Sequence, residues 1–558
     1  MSTEWSEPSR EPLPLILIRG FGGLSVEDEK RIAYQGFNDG TVYPRKRGEN
    51  YIYEGMILRF MKSSWKYQDA TNVVGYFPTP VTEKGSIPEP LKNLDPDFFW
   101  FNPEAGKNLE PKYKVAIDPA MALTLVEPDK TPDPCKTLWV FRYYDLNDRQ
   151  FEVYGEILVR LIDFIQALAT KKRGGVAKQP KVNIIAHSMG GLIVREAVQR
   201  TYPKNSRKAD DYINKIVTLG TPHRGISFQV LKNWIGIDSQ EELEHFNPAF
   251  QEDSKNDASY RNFHKHFDPR RLLCVVGTNY RSYGVTVASW ANRLFSMPDE
   301  FGPNYNRSDG LVKQTSAQVP GVPRTFIHKC HGGIDSLVTA RESFEAATRF
   351  FFGNIQVRLR MLTGKILRGK DLFGKSEFFF GVSIKPRKVD FDLFHQSAEA
   401  ENCYGPFSKE DAEGNVDFSE KPEELAFNWA DDQKLIWEGY LDTSQVIPDP
   451  STSVKDLVLR LDFYVGERDL FGVGFSDNIV FRKQYYVRAI LDPASPKLYL
   501  HTDEKFAKEG STEDKEMTAT RHGWEFGISG TGLQADFRVE VDRVPENGTP
   551  VFMAPSKT

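Results

Sequence analysis

A single serine stands at the junction between an apolar run and a helix-forming segment, and this junction constrains the fold most. The six residues VNIIAH before Ser188 are mostly apolar and branched, which is typical of a buried strand. A strand that turns directly into a helix strains the serine backbone, so side chains two places away must be small. Ala186 and Gly190 meet this condition. The pattern predicts a nucleophilic serine; a serine that merely caps the helix start is the alternative.

A nucleophilic serine needs a histidine base and an orienting acid, and both types occur downstream in the order Ser, Asp, His. Asp309 follows the strand-like segment 270–280 and is the predicted acid, although a plain Asp-Gly turn is the alternative. His331 lies at the end of the segment 323–333 and is the predicted base. We prefer it to His328, because the sequence places His328 inside the strand and His331 in the loop beyond.

Main-chain N–H groups are expected to bind the oxyanion of the reaction. The apolar segment 12–19 enters a glycine-rich loop at 20–23, where glycines allow a close backbone approach to a ligand. The expected donors are the N–H of Phe21 in this loop and the N–H of Met189 at the helix start. A nucleotide site is the alternative reading of the glycines, but they lack the G-x-G-x-x-G spacing.

Six segments together resemble α/β-hydrolases of the lipase and esterase type, and the resemblance covers residues 12–353. They are IRGFGG (18–23), FRYYDLN (141–147), NIIAHSMGG (183–191), VTLGTPHRG (217–225), SDGLV (308–312) and HKCHGG (328–333). The resemblance implies an α/β fold with a mostly parallel sheet and cap or lid insertions. It also implies cleavage of carboxylic esters, of lipids above all, through an acyl-enzyme. One departure is Arg19, since the family's first loop usually begins His-Gly.

The chain of 558 residues is too long for one core and is expected to hold two domains. A catalytic domain over residues 1–353 would carry insertions near 45–135 and 226–269. The second insertion is interpreted as a lid over the serine or as a static pair of surface helices. Residues 151–172 have apolar side chains at helical spacing, which predicts the helix before the serine strand. A further helix is predicted from about residue 334 to residue 352, after the segment that carries His331.

Residues 354–558 alternate apolar and polar side chains between frequent turns, which predicts an antiparallel β-sandwich. Within it, GKDLFGKSEFFFGVSI (369–384) and FYVGERDLFGVGFSDN (463–478) resemble the ion-binding loops of C2 domains. The resemblance implies a calcium site, which the carboxylates of five residues would form: Asp371, Glu377, Glu467, Asp469 and Asp477. A metal-free sandwich used for packing or docking is the alternative, because two positions carry the longer glutamate.

The composition of the chain indicates which classes of binding partner and which cellular compartment to expect. A net charge of −5 argues against a general role in nucleic-acid binding. Four cysteines without metal-ligand spacing indicate neither a zinc site nor a disulfide scaffold. Neither a membrane-spanning stretch nor a secretion signal is visible, so a cytoplasmic location is expected, with signal-independent export left open. The expected partners are a lipid or other acyl-ester substrate and, as a further possibility, a membrane surface; catalysis itself would need no cofactor.

Three other functions fit the same residues. A soluble esterase or thioesterase would prefer short acyl chains, and an acyltransferase would pass the acyl group to an alcohol faster than to water. A lipid-binding or docking protein would use the sandwich and not the serine. Chain-length selectivity separates the first of these from a lipase, and reaction with a serine-directed phosphonate separates the last.

Overall fold

The structure is a computed structural model that describes the residues of several ranges of the chain. These are 10–20, 54–71, 73–75, 87–99, 116–117, 119–126, 134–141, 151–172, 179–226, 244–282, 307–333, 335–367, 376–387, 389–407, 414–417, 434–443, 456–469, 478–490, 496–503, 515–545 and 550–553.

A seven-stranded parallel sheet forms the first half of the molecule. The strands of this half are β1 (Leu15–Ile18), β2 (Gln68–Asp69), β3 (Val74–Gly75), β4 (Ala116–Ile117), β5 (Thr137–Phe141), β6 (Val182–His187), β7 (Ile213–Leu219), β8 (Leu272–Gly277) and β9 (Arg324–Ile327). The order in the sheet is β2-β5-β1-β6-β7-β8-β9, and every neighbouring pair runs parallel, while β3 and β4 form a separate small sheet. This confirms the predicted α/β-hydrolase sheet, whose inner strands are mostly apolar because helices cover both faces.

Helices lie on both sides of this sheet. The α-helices are α1 (Glu54–Lys62), α2 (Pro119–Thr124), α3 (Phe151–Lys172), α4 (Met189–Glu196), α5 (Tyr202–Lys204), α6 (Pro248–Glu252) and α7 (Arg341–Phe352). A π-helical turn (Ala197–Thr201) joins α4 to α5, and short 3₁₀ helices occur at Glu89–Leu91, Pro96–Phe99, Pro134–Lys136, Ala209–Asp211, Glu244–Phe246, Tyr260–Lys265 and Pro269–Arg271. Across the described ranges, no helix combines the length and the apolarity that crossing a bilayer requires.

One helix boundary differs from the sequence prediction. Helix α3 covers the predicted residues 151–172, but the helix predicted from about residue 334 begins only at Arg341. The segment before it turns back on the preceding loop, where the N–H of Leu337 donates to the carbonyl of Cys330 at 2.9 Å. Ala340 then takes an extended conformation as the N-cap. The tertiary contacts of this segment therefore override its helix propensity.

Part of the first insertion belongs to the α/β core. Strand β2 adds an edge to the sheet by pairing with β5, and α1 buries Met56 and Phe60 among residues of the sheet and of α7. The ring of Phe60 lies 4.9 Å from that of Phe344 on α7, in an edge-to-face arrangement. The insertion therefore contributes an edge strand and a packed helix to the core of the α/β domain.

The described half of the second insertion, residues 244–269, is packed against the domain. Phe246, Tyr260 and Phe263 are buried in the main core. The guanidinium of Arg195 on α4 holds this half by donating to the side chain of Gln251 at 2.9 Å. Residues 227–243, where a lid was expected, lie outside the described residues.

The second half of the chain folds into two antiparallel sheets. Its strands are β10 (Ile355–Ile366), β11 (Ser376–Pro386), β12 (Tyr404–Phe407), β13 (Val416–Asp417), β14 (Leu435–Leu441), β15 (Leu457–Asp469), β16 (Asn478–Ile490), β17 (Lys497–His501), β18 (Lys515–Glu516), β19 (Thr518–Thr520), β20 (Gly523–Gly530), β21 (Leu533–Arg543) and β22 (Val551–Phe552). One sheet has the order β13-β10-β21-β20-β19, with β14 on β10 and β22 on β21, and the other has the order β12-β11-β15-β16-β17-β18. Phe463 of β15 and Phe537 of β21 meet between the sheets with ring centroids 4.7 Å apart, so the predicted β-sandwich is confirmed.

The sandwich covers the edge of the parallel sheet. Strand β9 is the last strand of that sheet, and the connection between β11 and β12 runs beside it. The N–H of His395 donates to the carbonyl of Phe326 at 3.0 Å, and the hydroxyl of Thr325 donates to the carbonyl of Leu393. The edge strand is therefore paired by the sandwich, which prevents strand addition at this edge. Farther along, the side-chain amide of Gln314 donates to the carbonyl of Ala400 at 3.0 Å.

Candidate active site

Ser188 occupies the predicted turn between strand β6 and helix α4. Its backbone has φ 53° and ψ −126°, a conformation that an L-residue adopts only under strain. Two hydrogen bonds hold it there: the Ser188 N–H donates to the Leu219 carbonyl at 2.9 Å, and the Thr221 hydroxyl donates to the Ser188 carbonyl at 2.9 Å. The turn presents the hydroxyl of Ser188 at the carboxyl end of the sheet, where ligands of open α/β folds bind.

The structure brings Ser188, His331 and Asp309 together. The Nε2 of His331 lies 2.9 Å from the Oγ of Ser188, and its Nδ1 lies 2.8 Å from the Oδ2 of Asp309. All three side chains are buried. Because a carboxylate only accepts, Nδ1 carries the proton and Nε2 is left to accept from the serine hydroxyl. The arrangement can thus move a proton from the serine to the imidazole.

Asp309 is held by the loop in which it lies. Its Oδ1 accepts the N–H groups of Leu311 at 3.1 Å and of Val312 at 2.8 Å. Its main-chain carbonyl accepts the N–H of His331 at 2.8 Å. The carboxylate therefore has one oxygen committed to backbone donors and the other directed at the imidazole, which fixes the orientation of both side chains.

Three glycines allow these groups to approach one another. A Cβ built on Gly190 would lie 2.6 Å from the carbonyl oxygen of Arg19, and one on Gly191 would lie 2.1 Å from the Oγ1 of Thr221. Gly220 has φ 55°, and a Cβ there would lie 2.8 Å from the Oδ2 of Asp309. Gly190 was predicted from the sequence to be small, whereas the need for Gly220 and Thr221 follows only from the folded geometry.

Of the two expected oxyanion donors, the structure describes Met189 but not Phe21. Met189 is the first residue of α4, and N–H groups in the first turn of a helix have no intrahelical acceptor, so its N–H is free of such a bond. Phe21 lies outside the described residues. The preceding Gly20 is described, and a Cβ on it would lie 2.7 Å from the Cβ of Ser188. The loop that carries Phe21 therefore starts in contact with the nucleophile turn.

The other histidines and the cysteine near the site have different environments. His328 lies just after β9, and its Nδ1 lies 3.1 Å from the hydroxyl of Thr278, on the side of the sandwich. His223 is fully buried, with its Nε2 3.0 Å from the hydroxyl of Thr218, as expected of a structural residue. Burial raises the pKa of the Cys330 thiol to about 12, so this thiol is protonated and unsuited to act as a nucleophile.

The candidate calcium ligands are only partly described. Asp371 and Asp477 lie outside the described residues, as does the side chain of Asp469. Glu377 forms an ion pair with Arg468, and the Oε2 of Glu467 accepts from the amide of Asn478 at 2.7 Å. Within the described ranges, no three side chains of the metal-binding types cluster together. Glu377 would have to leave its arginine to bind a cation, and calcium binding stays a prediction from the resemblance.

One contact at the site was not anticipated from the sequence. The side chain of His187 is buried, and its Nε2 lies 2.9 Å from the main-chain carbonyl oxygen of His331. The residue before the serine therefore bonds to the loop of the candidate base. No local pattern marks such a contact, because its two partners are 144 residues apart.

Comparisons with known proteins agree with this architecture. Residues 129–266 match the family model described as "PGAP1-like alpha/beta domain". A comparison with curated proteins finds no match.

Solved structures with some similarity include a lipase and a phospholipase. Lipase BlEst2 from Bacillus licheniformis in its mature form is 18% identical, with a TM-score of 0.27, over 37% of this chain and 75% of its own. Phospholipase PlaB from Legionella pneumophila is 10% identical, with a TM-score of 0.26, over 64% of this chain and 84% of its own. Similarities this low say nothing about the substrate of the present chain. The parallel sheet and the turn at Ser188 give the N-terminal part of the chain the α/β-hydrolase fold, and the family match over residues 129–266 supports a relation to lipases and esterases.

Proposed function

We propose that the protein hydrolyses carboxylic esters of lipids, with Ser188, His331 and Asp309 as its catalytic residues. The observation that carries the proposal is the continuous path from the serine hydroxyl to the carboxylate, with distances of 2.9 and 2.8 Å. Both are hydrogen-bond distances, and each bond has the donor and the acceptor that acyl transfer needs.

In the proposed reaction, the Oγ of Ser188 attacks the ester carbonyl carbon while the Nε2 of His331 takes its proton. The N–H groups of Met189 and Phe21 would stabilise the oxyanion that forms. His331 then returns the proton to the leaving alcohol, and an acyl-serine remains. Water attacks this acyl group with His331 again as base, which releases the fatty acid and restores Ser188. Water is the only second substrate, so the route requires no cofactor.

The preference for lipids is supported by one end of the sandwich. Leu367 and Ile479 are exposed by 37% and 48%, and both lie close to the turn at Gly532. The N–H of Leu367 donates to the Gly532 carbonyl, and a Cβ on Gly532 would touch Val480, which follows Ile479. The sequences that adjoin these residues each contain Leu-Phe, at 372–373 and at 470–471. Exposed apolar side chains such as Leu367 and Ile479 favour contact with a lipid surface.

The test is hydrolysis of p-nitrophenyl esters with acyl chains from C2 to C16. We expect wild-type activity to rise with chain length and Ser188→Ala to be inactive, whereas Ser343→Ala, which alters a buried serine on α7, should match the wild type. Full activity of Ser188→Ala would refute the proposed nucleophile. A preference for C2 and C4 would indicate a soluble esterase, and faster transfer to an added alcohol would indicate an acyltransferase.

Two further experiments test whether the β-sandwich acts in lipid docking and in calcium binding. Binding to liposomes without any reaction with a serine-directed phosphonate would indicate a docking protein. Calcium binding stays a prediction from the resemblance, and repeating the ester series in calcium and in EDTA tests it. Equal rates in both would leave the sandwich without a calcium-dependent role in hydrolysis.

A further inference from the structure

His187 makes a buried contact with the main chain of the candidate base. Its Nε2 lies 2.9 Å from the carbonyl oxygen of His331, and the two imidazole centroids are 4.8 Å apart. A carbonyl oxygen can only accept, so the Nε2 of His187 carries the proton and donates it. The tautomer of His187 is therefore set by this bond.

The charge of His187 is set by the same surroundings. Burial lowers the pKa of His187 well below its usual range, and the neighbouring imidazole of His331 and the guanidinium of Arg19 lower it further, against the opposing effect of the bond to the His331 carbonyl. When His331 takes the proton of Ser188, a second positive charge beside it would be still less favourable. His187 therefore stays neutral, and keeps donating to the carbonyl, in both protonation states of His331.

The bond restrains a side of His331 that Asp309 does not reach. Asp309 accepts from the N–H of His331 and from its Nδ1, both at 2.8 Å. The chain beyond His331 continues into Gly332 and Gly333, which have no side chains to pack. Gly333 has φ 93°, and a Cβ built on it would meet no atom within 4 Å. The loop that carries His331, here called the base loop, is tightly packed up to the His331 carbonyl that His187 holds. Beyond this carbonyl, at Gly333, the base loop is loosely packed.

The other edge of the His187 ring faces the end of β1. A Cβ built on Gly20 would lie 3.0 Å from the Nδ1 of His187 and 2.7 Å from the Cβ of Ser188. The ring consequently lies between Gly20 and the His331 carbonyl, and a shift away from that carbonyl would break its hydrogen bond.

We propose that His187 is a positioning residue, which holds His331 in line with Ser188 by donating to the His331 carbonyl. This inference rests on the proposed function, because it takes His331 as the base that activates Ser188. It assigns no chemistry to His187 itself. In His187→Phe the ring remains and the donor is lost, so we expect kcat to fall roughly 10- to 100-fold, as a small misplacement of a catalytic group does. KM should change little. His187→Gln keeps an N–H near the position of Nε2 and should recover most of the lost rate.

The test combines ester kinetics with titration of Ser188 by a p-nitrophenyl phosphonate. The amplitude of the titration counts the competent serines, and its rate reports how well His331 activates them. For His187→Phe we expect the wild-type amplitude with a slower rate, and for His187→Gln a rate closer to that of the wild type. A wild-type rate per titrated serine in His187→Phe would overturn the proposal, as would equal impairment of the Phe and Gln variants. Activity in Ser188→Ala would instead refute the proposed function, so the two failures are distinguishable.

Discussion

Replacement of Asp309 by asparagine tests the geometry of the site most sharply. The side chain is held at both oxygens: Oδ1 accepts the N–H groups of Leu311 and Val312, and Oδ2 faces the Nδ1 of His331. An asparagine that keeps its oxygen on the two backbone donors directs its NH2 at Nδ1. Nδ1 must then accept, the imidazole proton moves to Nε2, and Nε2 can no longer take the proton of Ser188.

The alternative orientation of the amide restores the tautomer but loses the backbone bonds. Its NH2 would face the N–H groups of Leu311 and Val312, which would be left buried without an acceptor. Each unmade hydrogen bond costs about 1–3 kcal/mol, or about 2–6 kcal/mol for the pair. The variant must meet this cost to reach the competent tautomer. At about 1.4 kcal/mol per factor of ten, the cost should lower kcat/KM by roughly 30-fold to 10⁴-fold.

The assay is kcat/KM on a p-nitrophenyl ester, with thermal unfolding measured on the same preparations. The control is Asp335→Asn, which removes a carboxylate from the loop that carries His331, where Asp335 pairs with Lys329 at 2.6 Å on the surface. We expect the control to stay near the wild-type rate. If Asp309→Asn stays within threefold of the wild type at an unchanged melting temperature, the role assigned to Asp309 is wrong.

Two further predictions concern the turn at the serine and a buried lysine. Gly190→Ala should lower the free energy of unfolding by about 1–3 kcal/mol, because its Cβ would lie 2.6 Å and 2.9 Å from the backbone carbonyl oxygens of Arg19 and Ile18; a wild-type midpoint in urea would contradict this. Burial lowers the pKa of Lys215 to about 7, with the charges of Arg10 and Arg271 adding to the effect. Between pH 7 and 10 the unfolded chain keeps the lysine proton and the folded protein does not, so the free energy of unfolding should rise with pH in this window. The free energy of unfolding, measured in urea at pH 7 and pH 9.5, should rise less between these pH values in Lys215→Met than in the wild type. An equal rise in the two proteins would refute the lowered pKa of Lys215.

Local patterns in the sequence were sufficient for the core of the α/β domain. The apolar run before Ser188, the small residues around it and the helical spacing of 151–172 each describe an element within one stretch of chain. The strands and helices that they predict are those of the structure. Such predictions succeed because a buried strand or an amphipathic helix is encoded by the period of its own side chains. The order of Ser188, Asp309 and His331 along the chain likewise predicted which three side chains would meet.

Only the tertiary structure decided the contacts between distant segments. The joining of β2 to the sheet, the pairing of His395 with Phe326 at the sheet edge and the bond from His187 to His331 each link residues far apart in sequence. None has a periodic signature, because each depends on which surfaces meet when the core closes. The late start of α7 at Arg341 has the same cause, since the preceding residues bond back to the loop of Cys330. The sequence by itself thus determined the elements and the candidate catalytic side chains, while packing determined how those side chains are held.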